Sequence, residues 1–235
     1  MKKGLVKEKI PSGDTGLILR IVDPEQKSMP PFKPGQYTAL SLSERNANET
    51  RAYSICSLPE DDFWEFLITV VESGLVSKQL AGLEVGMSVY YKDIPKGKMT
   101  LDRVGDQENI IFVATGSGVG PFKPMVNALV ALNNHKILLL QGARKKSELH
   151  YFSFFSEICH SNTNFTYMPY VSREKVTEPT LREGRVTDFF RDFNFSSDKT
   201  IAFVCGNPQM VDDVCNLLIP HGFSVGKNII TESYW

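Results

Sequence analysis

Residues 110–121 read IIFVATGSGVGP, an apolar run followed by a turn rich in glycine and then a proline. The five apolar residues 110–114 are typical of a strand buried inside a parallel sheet. Pro121 suits the first turn of a helix, where its missing N–H is not needed. A glycine-rich turn in this context brings backbone amides to a phosphate or a flat ring. The stretch predicts an α/β fold, but it lacks the full G-x-G-x-x-G pattern and is weak evidence for a nucleotide.

The same alternation of strand and helix continues to residue 231. Apolar strands at 110–115, 137–141, 165–171, 201–205 and 228–231 alternate with helices at 121–132, 147–160, 186–193 and 208–219. Asn207 is a good N-cap for the last helix, and Pro208 fits its first turn. The pattern predicts a doubly wound domain with a five-stranded parallel sheet over residues 103–235.

The first hundred residues follow a different pattern, in which short β-rich runs are separated by turn signals. The runs are 17–22, 37–42, 51–57, 64–71 and 88–91, with breaks at Ser12-Gly13, Pro34-Gly35 and Ser73-Gly74. Such spacing predicts a small antiparallel β-barrel over residues 1–102. One short helix at 76–83 interrupts the strands, and a polar turn at 102–107 separates the two domains.

The composition is that of an ordinary globular protein. Its 235 residues are 42% hydrophobic and 23% charged, and the net charge of −1 argues against a basic nucleic-acid binder. The sequence has no secretory signal core and no apolar run of membrane-spanning length, so a cytoplasmic location is expected. The four cysteines form no C-x-x-C pair and the four histidines have no ligand spacing, so we predict no metal site.

Two sites carry residues whose chemistry points to a nucleotide. Arg144 follows the second strand of the α/β domain, where a cation suits a 2′-phosphate better than a bare ribose diol. Along the strand Arg51–Ser54, Arg51 and Tyr53 fall on one face, which would hold a pyrophosphate and line a planar ring. A solvated surface arginine and an edge strand of mixed polarity are equally simple explanations of these two patterns.

Several motifs in a fixed order carry a resemblance that covers essentially the whole chain. They are Pro34-Gly-Gln-Tyr37, Arg51-Ala-Tyr-Ser54, Gly116-Ser-Gly-Val-Gly-Pro121, Cys205-Gly-Asn-Pro-Gln-Met210 and Glu232-Ser-Tyr-Trp235. The chain resembles the ferredoxin/flavodoxin–NADP⁺ reductase family, in its compact bacterial form with an aromatic carboxyl end. The resemblance implies a β-barrel FAD-binding domain followed by an NADP-binding α/β domain. It also implies hydride transfer between NADPH and flavin N5, and one-electron exchange with ferredoxin or flavodoxin.

The resemblance further implies the FAD-binding residues. They are Arg51, Ala52, Tyr53, Ser54, Phe66, Leu67, Ile68, Leu75, Val76, Ser77, Ser117, Tyr234 and Trp235. In this set Arg51 meets the pyrophosphate and Ser54 lies near flavin N5. The two terminal aromatic residues cover the flavin ring or the adenine. Ordinary barrel core is the alternative role for Phe66 and Ile68.

The nucleotide ligands and the catalytic residues are implied in the same way. For NADP(H) the positions are Gly118, Pro121, Arg144, Ser172, Arg173 and Arg185. Nearby cations are expected to form a solvated face, and these are Lys145, Lys146, Lys175, Arg182 and Arg191. The implied catalytic residues are Ser54, Cys205 beside the nicotinamide, and Glu232, which relays protons or stabilises a reduced state. An exposed residue near a chain end is the alternative for Glu232.

The implied partner is a small electron-carrier protein, ferredoxin or flavodoxin, and the chain is expected to be a monomer that binds neither nucleic acid nor a membrane. Two other functions stay open on the sequence. One is an NAD(P)H–flavin reductase or the reductase component of an oxygenase system, which uses the same fold with another electron acceptor. The other is a non-catalytic nucleotide-binding subunit.

Overall fold

Two six-stranded sheets organise the computed structural model, which describes residues 1–26, 28–44, 50–71 and 74–234. The first sheet is antiparallel and has the strand order β4-β3-β6-β1-β2-β5. Its strands are β1 (Lys2–Ser12), β2 (Gly16–Val22), β3 (Tyr37–Ser41), β4 (Arg51–Ser54), β5 (Trp64–Thr69) and β6 (Ser88–Tyr91). The short helix α1 (Leu75–Ala81) follows β5 and packs on its core side through Val76 and Leu80.

The second sheet is parallel and has the order β10-β9-β8-β7-β11-β12. Its strands are β7 (Asn109–Thr115), β8 (Lys136–Ala143), β9 (Phe165–Val171), β10 (Arg182–Glu183), β11 (Thr200–Gly206) and β12 (Ile229–Ser233). The helices are α2 (Phe122–Leu132), α3 (Phe152–Ser161) and α4 (Pro208–Leu218). The chain changes direction across the sheet at β7, and ligands of such sheets bind at the carboxyl ends of the strands beside that point. Among the described residues, no helix has the length and apolar character to cross a membrane.

The predicted fold class, an antiparallel domain followed by a parallel α/β domain, is confirmed, but each sheet has one more strand than the sequence pattern predicts. β1 is hidden because its lysines and Glu8 interrupt the apolar alternation around Val6. β10 gives the parallel sheet six strands rather than five. It consists only of Arg182 and Glu183, which are both exposed, so it carries no apolar signal.

Two predicted helices differ from the observed ones. The helix predicted from residue 147 begins only at Phe152, because Tyr151 has a φ of 59° and cannot continue a right-handed helix from the preceding 3₁₀ turn. The segment predicted as a helix over 186–193 is a 3₁₀ helix. The 3₁₀ segments are Leu101–Arg103, Gly116–Val119, Lys146–Glu148, Val186–Asp192 and Ile219–His221.

One hydrophobic core continues from the first sheet into the second. Cys56 and Leu67 of the antiparallel domain pack in the same buried cluster as Phe112, Phe122 and Met125 of the α/β domain. All five side chains are almost or completely buried. Burial of apolar surface stabilises a protein by roughly 25 cal/mol per Å², so a shared core of this kind couples the two domains strongly.

The tip of the β1–β2 hairpin also docks onto the α/β domain. The Ser12 hydroxyl is 2.8 Å from Nδ1 of His150, and the Lys145 ammonium is 3.3 Å from the Asp14 carboxylate. The imidazole of His150 is buried, and burial lowers its pKa below the ordinary value of 6.5. The nearby carboxylate of Glu148 opposes that effect only in part.

His150→Gln should make stability less dependent on pH in mildly acidic solution. The folded chain favours the neutral imidazole, so this group contributes stability above pH 6.5 that is lost as the pH falls towards its lowered pKa. The advantage of wild type over the variant should shrink by up to about 1.4 kcal/mol for each pH unit below 6.5. Urea unfolding from pH 5 to 8 measures this, with the exposed His160→Gln as the matched control. Parallel pH profiles for wild type and His150→Gln would contradict the prediction.

Candidate functional site

A cleft of about 830 Å³ lies between strands β4 and β5, the start of α1, the glycine turn after β7 and the end of β12. Its volume is in the range of small-molecule and cofactor sites. Ten of the residues predicted to bind FAD line it, and these are Arg51, Ala52, Tyr53, Ser54, Leu67, Leu75, Val76, Ser77, Ser117 and Tyr234. Trp235 lies outside the described residues.

The side chains of Phe66 and Ile68 do not line the cleft. Both are fully buried in the barrel core, whereas Leu67 between them points into the cleft. Successive side chains of a strand point to opposite faces, so one strand cannot present all three to the same cavity. Burial of both side chains favours the core role for these two residues, and their place in the FAD site stays a prediction.

The wall formed by β4 combines a cation with an aromatic ring. Arg51 is exposed, and its guanidinium is held by a 2.9 Å hydrogen bond to the Thr50 carbonyl. Tyr53 is half-buried, and burial raises its pKa to about 12, so its phenol stays neutral. On the opposite wall the Ser77 hydroxyl accepts a 3.2 Å hydrogen bond from the Val71 amide and still has a proton to donate. The donors and the cation suit an anionic group, and the aromatic face suits a planar one.

Tyr234 closes one end of the cleft. Its amide donates a 2.8 Å hydrogen bond to the Gly206 carbonyl, which continues the pairing of β12 with β11 beyond Ser233. Its phenolic oxygen makes a short hydrogen bond with the hydroxyl of Ser54, which is buried. The ring packs against the cluster that contains Cys205. The tyrosine therefore joins the α/β domain to the β4 wall directly across the predicted reaction site.

Cys205 and Glu232 are neighbours in the register of β11 and β12. Burial, reinforced by the negative charge of Glu232, raises the pKa of the Cys205 thiol well above its ordinary value, so the thiol stays protonated. Burial also raises the pKa of Glu232 to about 7. Glu232 lines the cleft, while Cys205 lies behind Tyr234 in the core. The carboxyl group can therefore hold or release a proton near neutral pH, and the thiol acts through its shape rather than as a nucleophile.

The glycine turn after β7 packs too closely for larger residues. A Cβ on Gly118 would lie 2.3 Å from the Cys205 carbonyl oxygen, and one on Gly120 would lie 2.6 Å from the Cys56 sulfur. Gly116 has a φ of +56°, which favours glycine. Gly118 and Pro121, both predicted to meet NADP, are buried, and only Ser117 of the turn lines the cleft.

A second polar region lies at the carboxyl ends of β8, β9 and β10. The Arg173 amide donates to the Arg144 carbonyl at 2.8 Å, and the Ser172 amide donates to the Ala143 carbonyl at 3.0 Å. Arg185 enters the same region because the Gly184 amide is held 2.9 Å from the Val171 carbonyl. The backbone therefore brings together the four predicted ligands of the 2′-phosphoadenosine group.

The arginines predicted to bind the phosphate differ from most of the neighbouring cations in that they form no ion pair among the described residues. Within the described ranges, the guanidinium groups of Arg144, Arg173 and Arg185 are exposed and none has a carboxylate within ion-pair distance. Nearby cations pair locally, and the pairs are Lys145–Asp14, Lys146–Glu178 and Arg191–Asp188. The three unpaired arginines are therefore free to bind an anion.

Sequence reasoning missed several residues of the cleft. Tyr37 belongs to a motif that the sequence already singled out, so its place in the cleft, opposite Ser54 in the sheet, could have been inferred. Cys56 continues the same strand pattern. Thr69, Val71 and Ser233 also line the cleft, but ordinary strand residues such as these carry no sequence signal of a site.

Comparison with known proteins assigns each half of the chain to a domain family. Residues 4–100 match the family described as oxidoreductase FAD-binding domain, and residues 112–216 match the family described as oxidoreductase NAD-binding domain. The chain is 30% identical over 191 residues to the flavodoxin/ferredoxin–NADP reductase of Shigella flexneri, an alignment that covers 78% of this chain and 77% of that protein. It is 28% identical over 233 residues to the flavodoxin/ferredoxin–NADP reductase of Buchnera aphidicola from Schizaphis graminum, covering 87% and 89%.

A solved structure has the same fold over the whole chain. The crystal structure of a ferredoxin NADP⁺ reductase from Neisseria gonorrhoeae, solved with bound FAD and NADP, superposes with a TM-score of 0.87. The comparison covers 100% of this chain and 98% of that one, at 19% sequence identity.

Proposed function

Because the chain belongs to the ferredoxin/flavodoxin–NADP reductase family, we propose that it moves electrons between NADPH and a small carrier protein through FAD. The chain is an oxidoreductase whose cofactors are FAD and NADP(H). One observation carries the proposal for this chain in particular. A single cleft is lined both by the Arg51–Ser54 strand of the antiparallel domain and by Ser117, Glu232 and Tyr234 of the α/β domain, so residues of both domains meet at one site.

The cleft residues fit FAD. Arg51 supplies a cation for the pyrophosphate, Tyr53 an aromatic face, and Ser77 a buried hydroxyl on the opposite wall. When bound, FAD would supply hydride acceptance from NADPH and the release of single electrons, chemistry that amino-acid side chains do not provide. The chain contributes binding, orientation and exclusion of water.

Three residues control protons and water at the reacting end of the cleft, and these are Ser54, Tyr234 and Glu232. The Ser54 hydroxyl is oriented by its hydrogen bond with Tyr234, and the tyrosine ring covers this end of the cavity. Glu232 holds a proton at its carboxyl group near pH 7. Cys205 remains neutral behind them and keeps the region close to Glu232 free of a second negative charge.

Arg144, Ser172, Arg173 and Arg185 bind the 2′-phosphate of NADP(H) in this proposal. Their support is the unpaired guanidinium cluster at the strand ends, because arginine binds a dianionic phosphate through charge-assisted, bidentate hydrogen bonds. We also propose that the FAD and NADP domains meet between residues 102 and 103. The family matches at 4–100 and 112–216 lie on either side of that position.

The electron partner is a small carrier protein, and we propose ferredoxin or flavodoxin as the carrier and a monomer as the working unit. The test is an absorbance spectrum of purified protein, followed by stopped-flow oxidation of the NADPH-reduced protein by ferredoxin, flavodoxin and free flavin in parallel. We expect flavin bands and transfer to a carrier at least ten times faster than to free flavin. Faster transfer to free flavin would favour a flavin reductase instead. Absence of flavin bands after addition of FAD would leave the non-catalytic binding subunit as the better function.

Glu232→Gln should remove a titration near pH 7. Wild-type hydride transfer should change with an apparent pKa of about 7, because burial keeps the Glu232 carboxyl protonated up to that pH. The same shift means that this group contributes stability below the ordinary pKa of 4.5, and that the contribution is lost as the pH rises through about 7. Stopped-flow reduction by NADPH between pH 5.5 and 8.5 measures the effect, with Glu157→Gln on the exposed face of α3 as control. Retention of the same inflection in Glu232→Gln would assign it to another group.

A further inference from the structure

Glu65 is a fully buried carboxylate at the junction of the two domains. Its side chain is 0% exposed, although it lies in β5 between apolar neighbours. Three donors converge on it, namely Arg20 Nε at 2.8 Å, Lys123 Nζ at 2.6 Å and the Tyr151 hydroxyl at 2.9 Å. Arg20 belongs to β2, Lys123 to α2, and Tyr151 to the turn before α3. Elements of both domains therefore meet on a single carboxylate.

The charges around Glu65 alternate and balance. Arg20 also pairs at 2.6 Å with Glu8, whose side chain is half exposed, so the sequence of charges runs Glu8, Arg20, Glu65, Lys123. The Lys123 side chain is 12% exposed, and its ammonium lies 4.9 Å from the centre of the Tyr151 ring. Burying an ion pair costs desolvation that its mutual attraction often only offsets, so such a pair is a weak source of net stability. The ion pair is better explained by the way it fixes the relative orientation of the elements that carry Glu65 and Lys123.

The ion pair spans from the floor of the cleft to the glycine turn. On one side, the backbone carbonyl of Glu65 accepts a 2.7 Å hydrogen bond from the Cys56 amide. Cys56 lines the cleft, and so does Leu67, two residues beyond Glu65 in β5. On the other side, Lys123 is in the first turn of α2, and its amide donates to the Gly120 carbonyl at 3.2 Å. Gly120 itself rests on the Cys56 sulfur. Glu65 and Lys123 thus connect the cleft floor at Cys56 and Leu67 with the glycine turn that precedes α2.

We propose that Glu65 and Lys123 are positioning residues for hydride transfer, whose ion pair holds the glycine turn at residues 116–121 against the cleft floor formed by Cys56 and Leu67. Arg20 and Tyr151 fix the carboxylate from the other directions, so Lys123 meets an anion in one orientation only. The inference rests on the proposed function. Neither residue lines the cleft, so each acts through the backbone next to it.

The test compares Lys123→Met with Lys199→Met in the FAD-loaded protein. Methionine keeps most of the length of lysine and removes its charge, and Lys199 is the matched control because it pairs with Glu108 at 2.7 Å on an exposed surface. For Lys123→Met we expect flavin reduction at saturating NADPH to slow by about 10- to 100-fold, as displacement of reacting groups by roughly 1 Å can do. The dissociation constants for FAD and NADPH should stay within about threefold, and Lys199→Met should match wild type.

Two further measurements separate positioning from general loss of structure. Hydrogen exchange of the protein should accelerate at the amides of Gly120 and Lys123 in Lys123→Met and remain unchanged in α4, which packs in a separate core cluster. Lys123→Arg, which restores the cation, should recover the rate to within about threefold of wild type. Glu65→Gln should lower the rate in the same way, and if it does not fold, the lysine variants still decide the matter.

The outcomes are distinct. Slower reduction with preserved dissociation constants, local exchange and rescue by arginine support the positioning role. An unchanged rate in Lys123→Met, or a loss that appears equally in FAD affinity and in exchange across both sheets, overturns it. Failure of the proposed function would appear differently, as wild-type protein whose flavin NADPH does not reduce.

Discussion

Arg144→Ala should raise the KM for NADPH about 10- to 100-fold and leave the KM for NADH nearly unchanged. The Arg144 guanidinium is exposed and has no carboxylate within ion-pair distance in the described part of the chain, so it is free to bind the 2′-phosphate that NADH lacks. A charge-assisted hydrogen bond of this kind contributes roughly 1.5–3 kcal/mol, and each ~1.4 kcal/mol corresponds to one power of ten. The kcat at saturating NADPH should stay similar, because the contact lies away from the reacting atoms.

Steady-state kinetics with both nucleotides at two salt concentrations check this expectation. Added salt should narrow the difference between wild type and variant, since exposed phosphate contacts are screened. Arg191→Ala is the matched control, because Arg191 is also exposed but pairs at 2.7 Å with Asp188. An equal loss with NADH and NADPH would mean that Arg144 supports the fold or the shared pyrophosphate.

Gly118→Ala should have the second large effect, on both stability and catalysis. The added methyl group would lie 2.3 Å from the Cys205 carbonyl oxygen and 2.5 Å from its carbonyl carbon, so either the turn or β11 must move. Overpacking of this kind costs roughly 1–3 kcal/mol. Displacement of the turn should also slow flavin reduction by NADPH at least tenfold.

Thermal unfolding and stopped-flow reduction measure the two parts of this prediction. Gly82→Ala provides the control, because Gly82 has a φ of −79° and an added Cβ would come no closer than 3.4 Å to its neighbours. That substitution should be neutral or slightly stabilising. If Gly118→Ala behaves like Gly82→Ala, the close approach of the turn to β11 does not limit either property.

The sequence predicts best those elements whose residues are buried on both sides. The strand predicted at 110–115 lacks only Asn109, and the strand predicted at 201–205 lacks only Thr200 and Gly206, because the residues between are buried and apolar. β1 escapes prediction because only one of its faces is buried and charged residues interrupt the pattern. β10 escapes because it has only two residues, both exposed, which leave no apolar pattern to recognise.

The functional residues divide in the same way. Some belong to sequence motifs, and others are brought together only by the fold. Residues of the Arg51–Ser54 strand and Tyr234 belong to motifs that sequence can recognise, and they line the cleft together. Glu65 belongs to no such motif. Its three partners lie 45, 58 and 86 residues away along the chain, so only folding brings them to the carboxylate.

The covered thiol of Cys205 has a consequence for chemical labelling. Alkylating and oxidising reagents attack thiolates that they can reach, and Cys205 is both fully buried and held protonated by burial. Because the Tyr234 ring lines the cleft and packs against the cluster that contains Cys205, we expect a reagent to reach this sulfur from the cleft only when the ring moves. The alkylation rate of Cys205 therefore reports how often the Tyr234 ring leaves its closed position. The measurement needs no substrate.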